Sequence, residues 1–320
     1  MPTPRHGSPP AVDPAGATTA AIPGDRGRIC DTSVERGASG YPRGLEDLKD
    51  PPRVVYMRGG PVPPPSSAVT IVGSRAASPY GLAQARRLAG DLARMGFVVV
   101  SGLARGIDAA AHRGALEAGG STVAVLPGGL DDVTPRHHVA LAGEIAARGT
   151  LLSEHAAGPP RSRGMFVKRN RLIAALAGAT VVVEAAARSG ALSTGNAAAR
   201  IGRPVLAVPG DLDRETSRGC HALIKAGAGL CENAVDVAAA VDAWAGGRGE
   251  PRVRRPGPGP EARLLDVLKD APLGVEALAA AAELSIAAAL SGLLALQWAG
   301  VALALPGQRW ARAGTGGSIR

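Results

Sequence analysis

From Ala68 onward, short unbroken runs of aliphatic and β-branched residues alternate with longer stretches in which apolar positions recur every three to four residues. The runs Val69–Val72, Phe97–Val100, Thr122–Leu126, Thr150–Leu152, Thr180–Val183 and Val205–Val208 predict strands. The stretches near 81–95, 107–118, 136–148, 170–177, 191–201 and 220–226 predict helices. Runs without polar alternation belong to strands covered on both faces, and regular strand–helix alternation builds parallel sheets. The expected fold class over 68–245 is therefore α/β, a doubly wound parallel sheet.

The flanks read differently. Residues 1–40 are poor in bulky apolar groups and are expected to be a disordered tail. A lead-in over 41–67 runs from Tyr41-Pro42 through Val54-Val55-Tyr56 to Gly59-Gly60 and a proline-rich link at Pro61–Pro65. Gly246–Pro260 is rich in Gly, Pro and Arg and predicts a flexible linker. Residues 261–313 then show helical patterns at 261–269, 275–282 and 286–298, followed by a hairpin of Val301–Leu305 and Arg309–Ala311 around Pro306-Gly307. That layout predicts a small winged helix, with 314–320 as a tail. Leu284–Leu305 lacks charge over 22 residues, yet Ser285, Ser291, Gln297 and Gly300 divide it into a helix, a stop and a strand. Neither a membrane span nor a signal peptide is expected, and the expected location is the cytoplasm.

Charge changes this picture in one region. Basic side chains outnumber acidic ones by eight to seven in 1–67, by nineteen to fourteen in 68–245 and by nine to six in 246–320. The excess sits mainly in the α/β domain, which favours a polyanionic partner. Much of it lies in Arg161–Arg171, where five cations and no acid surround Phe166 just before the apolar run Leu172–Ala177. Fixed cations beside an aromatic ring suit single-stranded nucleic acid, the charges for phosphates and the ring for a base. Cys30, Cys220 and Cys231 form no CxxC pair and have no ligand-spaced histidines, so no metal, cofactor or disulfide framework is expected.

In an open parallel sheet the loops leaving the carboxyl ends of the strands line one edge. Here they are Gly73-Ser74-Arg75, Ser101–Asp108, Pro127-Gly128-Gly129, Ser153-Glu154, Glu184–Thr194 and Pro209-Gly210-Asp211. Most are built from glycine and small hydroxyls, which let backbone N–H groups approach an anion beside helix N-termini carrying about half a positive charge. The dinucleotide fingerprint and the Walker lysine are both absent, which excludes nicotinamide chemistry and P-loop hydrolysis. Asp108 and His112 share a helix face as an acid/base pair would, but a first-turn carboxylate and a polar contact explain them better. Glu154 and Glu184 follow strands without a partner set for catalysis.

Taken in order, Val72-Gly-Ser-Arg75, Ser101-Gly-Leu-Ala-Arg-Gly-Ile-Asp108, Phe166-Val-Lys-Arg-Asn-Arg171, Ser189-Gly-Ala-Leu-Ser-Thr194 and Pro209-Gly210 resemble the DprA/Smf DNA-processing family. Gly219–Ile224 with Gly227-Ala228, and the Tyr41-Pro42 lead-in, extend the resemblance over roughly 41–245 and, weakly, the winged helix. It implies an extended Rossmann-like domain that is not an enzyme. Such a domain binds and protects single-stranded DNA, dimerises, and loads RecA recombinase onto strands coated with single-strand-binding protein, as in natural transformation. By motif position, Arg75 would grip the backbone, Arg163 stands where the family tends to carry a basic residue, and Lys168, Arg169 and Arg171 would complete the patch. Gly73, Ser74, Ser101, Gly102, Ser189 and Gly190 would cradle phosphates, and Phe166 would face a base. Asn170, Thr194 and Lys225 complete the implied DNA-binding set. Val167, Thr134, Gly195 and His221 depart from the usual Pro, Tyr, Ala and Asn. Members often carry a helical domain ahead of the Tyr-Pro lead-in, which 1–40 is not expected to form.

The third helix of the winged helix, Ser285–Trp298, has no Lys or Arg, so it is not expected to read a DNA sequence and is assigned to protein contacts or stability. The rival readings are a phosphoribohydrolase related to lysine decarboxylase-like enzymes and a nucleotide sensor. The first needs Pro-Gly-Gly-x-Gly-Thr where this chain continues Leu130-Asp131-Asp132, and neither has use for a basic patch at 161–171.

Overall fold

The structure, a computed structural model, describes residues 31–156, 162–249, 260–268, 271–298, 301–307 and 309–313. The chain divides into two compact units, one up to Val253 and one from Arg254.

In the first unit the elements in chain order are β1 (Asp31–Glu35), β2 (Val54–Gly59), β3 (Ala68–Val72), α1 (Pro79–Arg94), β4 (Val98–Ser101), α2 (Ile107–Glu117), β5 (Thr122–Val125) and α3 (Val139–Arg148). There follow β6 (Thr150–Ser153), α4 (Arg163–Ala175), β7 (Ala179–Val182), α5 (Gly190–Arg200), β8 (Val205–Ala207), α6 (Glu215–Lys225), β9 (Gly229–Leu230) and α7 (Ala234–Gly247). They form one nine-stranded sheet in the order β1-β2-β6-β5-β4-β3-β7-β8-β9, parallel from β6 to β9. β3, β5, β6 and β7 are buried along their whole length, as their unbroken apolar runs require. Helices α1, α2 and α7 contribute to the apolar cluster that covers one face. Helices α4, α5 and α6 cover the other, joined by Tyr41, Leu45 and Leu48 of the lead-in. The expected α/β class holds.

One expectation near the amino end needs correction, and the lead-in gains a strand. Residues 31–35, counted with the disordered tail, form β1, and 54–59 form β2. Both run antiparallel, β2 against β6 and β1 against β2. The segment Asp31–Glu35 has no apolar face to announce a strand. It is held by the backbone ladder and by Arg58, which donates to Asp31 at 2.5 and 2.8 Å. Residues 1–30 of the expected tail lie outside the described residues. Helix α7, absent from the sequence reading, runs into the expected linker as far as Gly247; 250–259 lie outside the described residues. Its start is fixed by Asn233, whose side chain accepts from Val235 and Asp236 N–H, with Asp236 accepting in return from Asn233 N–H.

Helices α1 and α2 pack closely through glycines. A Cβ on Gly114 would lie 2.2 Å from the Arg86 carbonyl oxygen, which a backbone in mid-helix cannot yield. Gly114→Ala is expected to lower stability by about 1–3 kcal/mol or more through overpacking. Urea unfolding checks this, and an unchanged midpoint would count against the tight crossing.

The second unit contains α8 (Pro260–Val267), β10 (Leu273–Gly274), α9 (Val275–Ala281), α10 (Ile286–Trp298), β11 (Ala302–Leu305) and β12 (Arg309–Arg312). Its three-stranded antiparallel sheet has the order β10-β12-β11, the expected winged helix with one short added strand. Leu264, Leu278, Leu293 and Trp310 form its core. Gly300 and 314–320 lie outside the described residues. Among the described residues no helix is long and apolar enough to cross a membrane.

Candidate nucleic-acid interface

The strand order decides where a ligand can sit. The chain builds outward from β3 through β4 and β5 to β6, then returns to place β7 on the other side of β3. Connections leaving β3 and β7 therefore diverge to opposite faces, and a crevice opens beyond their carboxyl ends. A groove of about 630 Å³ lies there, lined by the loop Gly73–Ala76 after β3, Ser189 and Gly190 after β7, and Phe166 and Asn170 of α4. A second hollow of about 320 Å³ adjoins it, lined by Arg105, Thr134, Pro135 and His137. Both share Arg75, Phe166 and Arg169. Arg75 is exposed, and its guanidinium lies 5.2 Å from the centre of the half-buried Phe166 ring.

The loop that carries Arg75 is tightly held. Gly106, at φ 78°, passes so close that a Cβ there would lie 2.2 Å from the Ser74 carbonyl oxygen, which accepts from Ile107 N–H at 3.2 Å. Glu184, just after β7, accepts from Ser78 N–H at 2.9 Å and from the Ser78 hydroxyl at 2.5 Å, where Ser78 caps α1. Glu184 is thus a strut between β7 and α1, the ordering role open to an acid at a strand end.

The basic segment is where the structure departs most from the sequence. It is not a loop opening a helix: α4 begins at Arg163, and the rest of the segment is helical. Residues 166, 169, 170 and 173 line the groove, the spacing of one helical face. Lys168 and Arg171 leave from another face and pair with the nearly buried Glu154, at 2.7 and 2.6 Å. Arg171 also donates to the Asp50 carbonyl at 2.8 Å. These two cations are spent on joining α4 to β6 and the lead-in, and they do not line the groove. Arg169 is 5% exposed and lies in the groove floor, donating to the Gly102 and Val125 carbonyls. Burial brings it down to about 10, against the support of the Asp108 carboxylate. Arg161 lies outside the described residues.

Other residues of the implied set divide in the same way. Gly73, Ser74, Ser189, Gly190 and Asn170 line the groove. Asn170 donates to the Ser193 hydroxyl at 2.7 Å and to the Gly190 carbonyl at 3.3 Å, tying α4 to α5. Ser189 caps α5 by accepting from Ala191 N–H. Ser101 is fully buried, its hydroxyl donating to the Ile71 carbonyl at 2.6 Å, and it cannot cradle a phosphate. Gly102 is buried under the second hollow, and Thr194 under the first. Lys225 closes the last turn of α6, at the amino edge of the strands and far from the groove. Arg105 and His137, both exposed, were not in the sequence-derived set. Arg105 lies inside the quoted motif Ser101–Asp108, which could have suggested it.

Asp108 and His112 do not form a pair. Asp108 accepts from Gly102 and Ala104 N–H at 3.2 and 3.3 Å, shaping the loop after β4, and burial pushes its carboxyl up against the pull of Arg169. His112 Nδ1 meets the Thr122 hydroxyl at 2.7 Å, and burial brings its imidazole down to about 3. A buried histidine whose folded value lies below its unfolded one contributes stability above about pH 6.5, and that contribution is lost as the pH falls toward 3. Wild type is expected to lose about 2 kcal/mol more than His112→Gln between pH 7 and pH 5, read from urea unfolding at each pH. Asp108 is present in both proteins, so its opposite contribution cancels in the comparison. Burial pushes Cys220 and Cys231 up to about 12, which leaves no thiolate for chemistry. Among the described residues no cluster of three His, Cys, Asp or Glu could hold a metal.

Comparison with known proteins gives a consistent answer. The family model described as "DNA recombination-mediator protein A" matches residues 33–242, and the model "DprA winged helix domain" matches 249–308. The chain is 46% identical over 233 residues to the "Putative DNA processing protein DprA" of Mycobacterium tuberculosis, covering 72% of this chain and 58% of that protein. The alignment thus spans little more than half of that relative's length. Among solved structures it resembles DNA processing protein A of Streptococcus pneumoniae, with TM-score 0.61 and 37% identity over 65% of this chain and 73% of that one. It also resembles DNA processing protein A of Helicobacter pylori, described with its single-stranded DNA binding mode, with TM-score 0.59 and 30% identity over 67% and 96%. With the strand order, the switch-point groove and both matched segments in agreement, this chain belongs to the DNA recombination-mediator protein A family.

Proposed function

We propose that the first unit binds single-stranded DNA along the carboxyl edge of its sheet, and that the protein protects such strands and mediates recombination by loading RecA. The observation that carries this reading is the exposed Arg75 guanidinium over the half-buried Phe166 ring, at the meeting point of two hollows. Cation and ring together offer a phosphate contact and a base platform, and an open groove with two arms suits a strand better than a mononucleotide. The Helicobacter pylori relative, whose structure is described by its single-stranded DNA binding mode, supports the same ligand here. No turnover is part of the reading, since Asp108, His112, Glu154 and Glu184 each have a structural partner. A homodimer, and strands coated with single-strand-binding protein as the substrate for loading, belong to the same proposal. The winged helix is assigned to protein contacts: α10 exposes Ile286, Leu290 and Leu294, a stripe that suits an apolar partner surface and offers nothing to phosphates.

The test is fluorescence anisotropy of labelled oligothymidine, duplex and mononucleotide across a salt series. Tight, length-dependent and salt-sensitive binding of the single strand is expected. Equal affinity for a mononucleotide, without dependence on length, would turn the reading toward a nucleotide sensor. Loading is checked separately, by RecA filament formation on strands coated with single-strand-binding protein, with and without this protein.

A further inference from the structure

We propose that Tyr80 is a second base-stacking platform, which extends the single-strand path from the Arg75–Phe166 pair toward the carboxyl end of β8. The proposal rests on the single-stranded DNA reading given above.

The chain has only two Phe, three Tyr and three Trp, so an aromatic ring left in water stands out. Tyr41, Phe97 and Trp310 are buried in the cores. Tyr56 packs against the cluster around α3, and the Trp244 ring lies under the guanidiniums of Arg203 and Arg248 at 3.9 and 5.3 Å. Phe166 lies under Arg75. Tyr80, by contrast, is 44% exposed, the most open ring among the described residues.

Its position matters as much as its exposure. Tyr80 stands in the first turn of α1, directly after the loop that carries Arg75, and so belongs to the same sheet edge as the groove. Its hydroxyl donates to the Pro209 carbonyl at 3.4 Å, in the loop that follows β8. Because β7 lies between β3 and β8, this contact joins the helix that follows β3 to a loop two strands away along the edge. Cations are available on the same edge. Arg188, in the loop after β7, and Arg218, in the first turn of α6, are both exposed and form no ion pair among the described residues. Asp211 in this stretch is paired with Arg214 at 2.8 Å, which softens its repulsion of a phosphate. An exposed ring with exposed cations on neighbouring loops of the same edge offers the kit for one more nucleotide.

The experiment compares wild type, Tyr80→Phe and Tyr80→Ala with oligothymidines of about four to about sixteen nucleotides. Tyr80→Ala is expected to bind the shortest oligomers as wild type does and to weaken about fivefold to about a hundredfold for the longer ones. Tyr80→Phe keeps the ring and is expected within about twofold of wild type at every length, because the lost hydroxyl contact is long and exposed. A Tyr80→Trp protein gives a direct signal, since its new indole fluorescence is expected to be quenched by long oligomers and not by the shortest. Wild-type affinity for Tyr80→Ala at all lengths would overturn the platform while leaving the groove reading intact. An equal loss at every length, with a lowered unfolding midpoint, would also overturn it in favour of a structural role at Pro209. Failure of wild type to bind any single strand would instead overturn the reading on which the platform rests.

Discussion

Replacing Arg169 by methionine is expected to cost the first unit about 3–5 kcal/mol, because a buried guanidinium that donates to two buried carbonyls is removed. Two carbonyls, Gly102 and Val125, would lose their donor, each at about 1–3 kcal/mol if left unpaired and dry. Asp108, which burial already pushes toward its neutral form, would lose its closest favourable charge. The loop it shapes, Gly102–Ala104, would loosen with it, so weaker binding of single strands is expected to accompany the loss of stability. Chemical unfolding measures the first effect and anisotropy the second. Arg169→Met with a wild-type midpoint would contradict the view that this cation holds the groove floor. A stable Arg169→Met that has merely lost affinity would return Arg169 to direct phosphate contact. The double variant Asp108→Asn with Arg169→Met is expected to cost less than the two single changes added together, because Arg169 acts on the Asp108 carboxyl and both hold the loop at Gly102.

Arg75→Ala is expected to weaken binding of oligothymidine about a hundredfold at low salt, close to what one charge-assisted contact of about 1.5–3 kcal/mol supplies. The slope of log affinity against log salt should fall by about 0.7, the change for one phosphate contact on a single strand. Stability should move little, because Arg75 is exposed. Phe166→Ala should weaken binding by about 1–3 kcal/mol with an unchanged salt slope, since a lost stacking ring releases no counterions. The guanidinium and the ring are 5.2 Å apart, so the double variant should lose less than the sum of the two. An Arg75→Ala protein within about twofold of wild type at all salt concentrations would remove the groove from the binding path.

These two arginines show how far local sequence reaches. Both stand in motifs that resemble the family, and both were assigned to phosphates on that basis. Arg75 follows a fully buried strand and turns outward at the switch point, as its place in the loop suggests. Arg169 is one residue from Lys168 and two from Arg171, yet its side chain enters the groove floor while the other two share Glu154. Composition gives the charge of this segment but not its destination. Once the segment is helical, each successive residue turns by about 100°, and neighbours in sequence face different partners.

What the sequence determined by itself was the kind of fold and the location of its chemistry. Unbroken apolar runs of strand length, separated by helical patterns, leave a parallel α/β sheet as the stable arrangement, because only that architecture covers such strands on both faces. The glycine-bearing strand ends pointed to one edge before any strand order was known. Only the tertiary structure decided the rest. The return of the chain to place β7 beside β3 opened the groove, and no local pattern encodes which strands are neighbours. Glu154, just after the carboxyl end of β6, claimed Lys168 and Arg171, and the lead-in carbonyl of Asp50 claimed Arg171 from 121 positions away. Whether a cation meets solvent, a carboxylate or a buried carbonyl depends on what the fold brings beside it. In a low-dielectric interior that choice separates a binding group from a structural one.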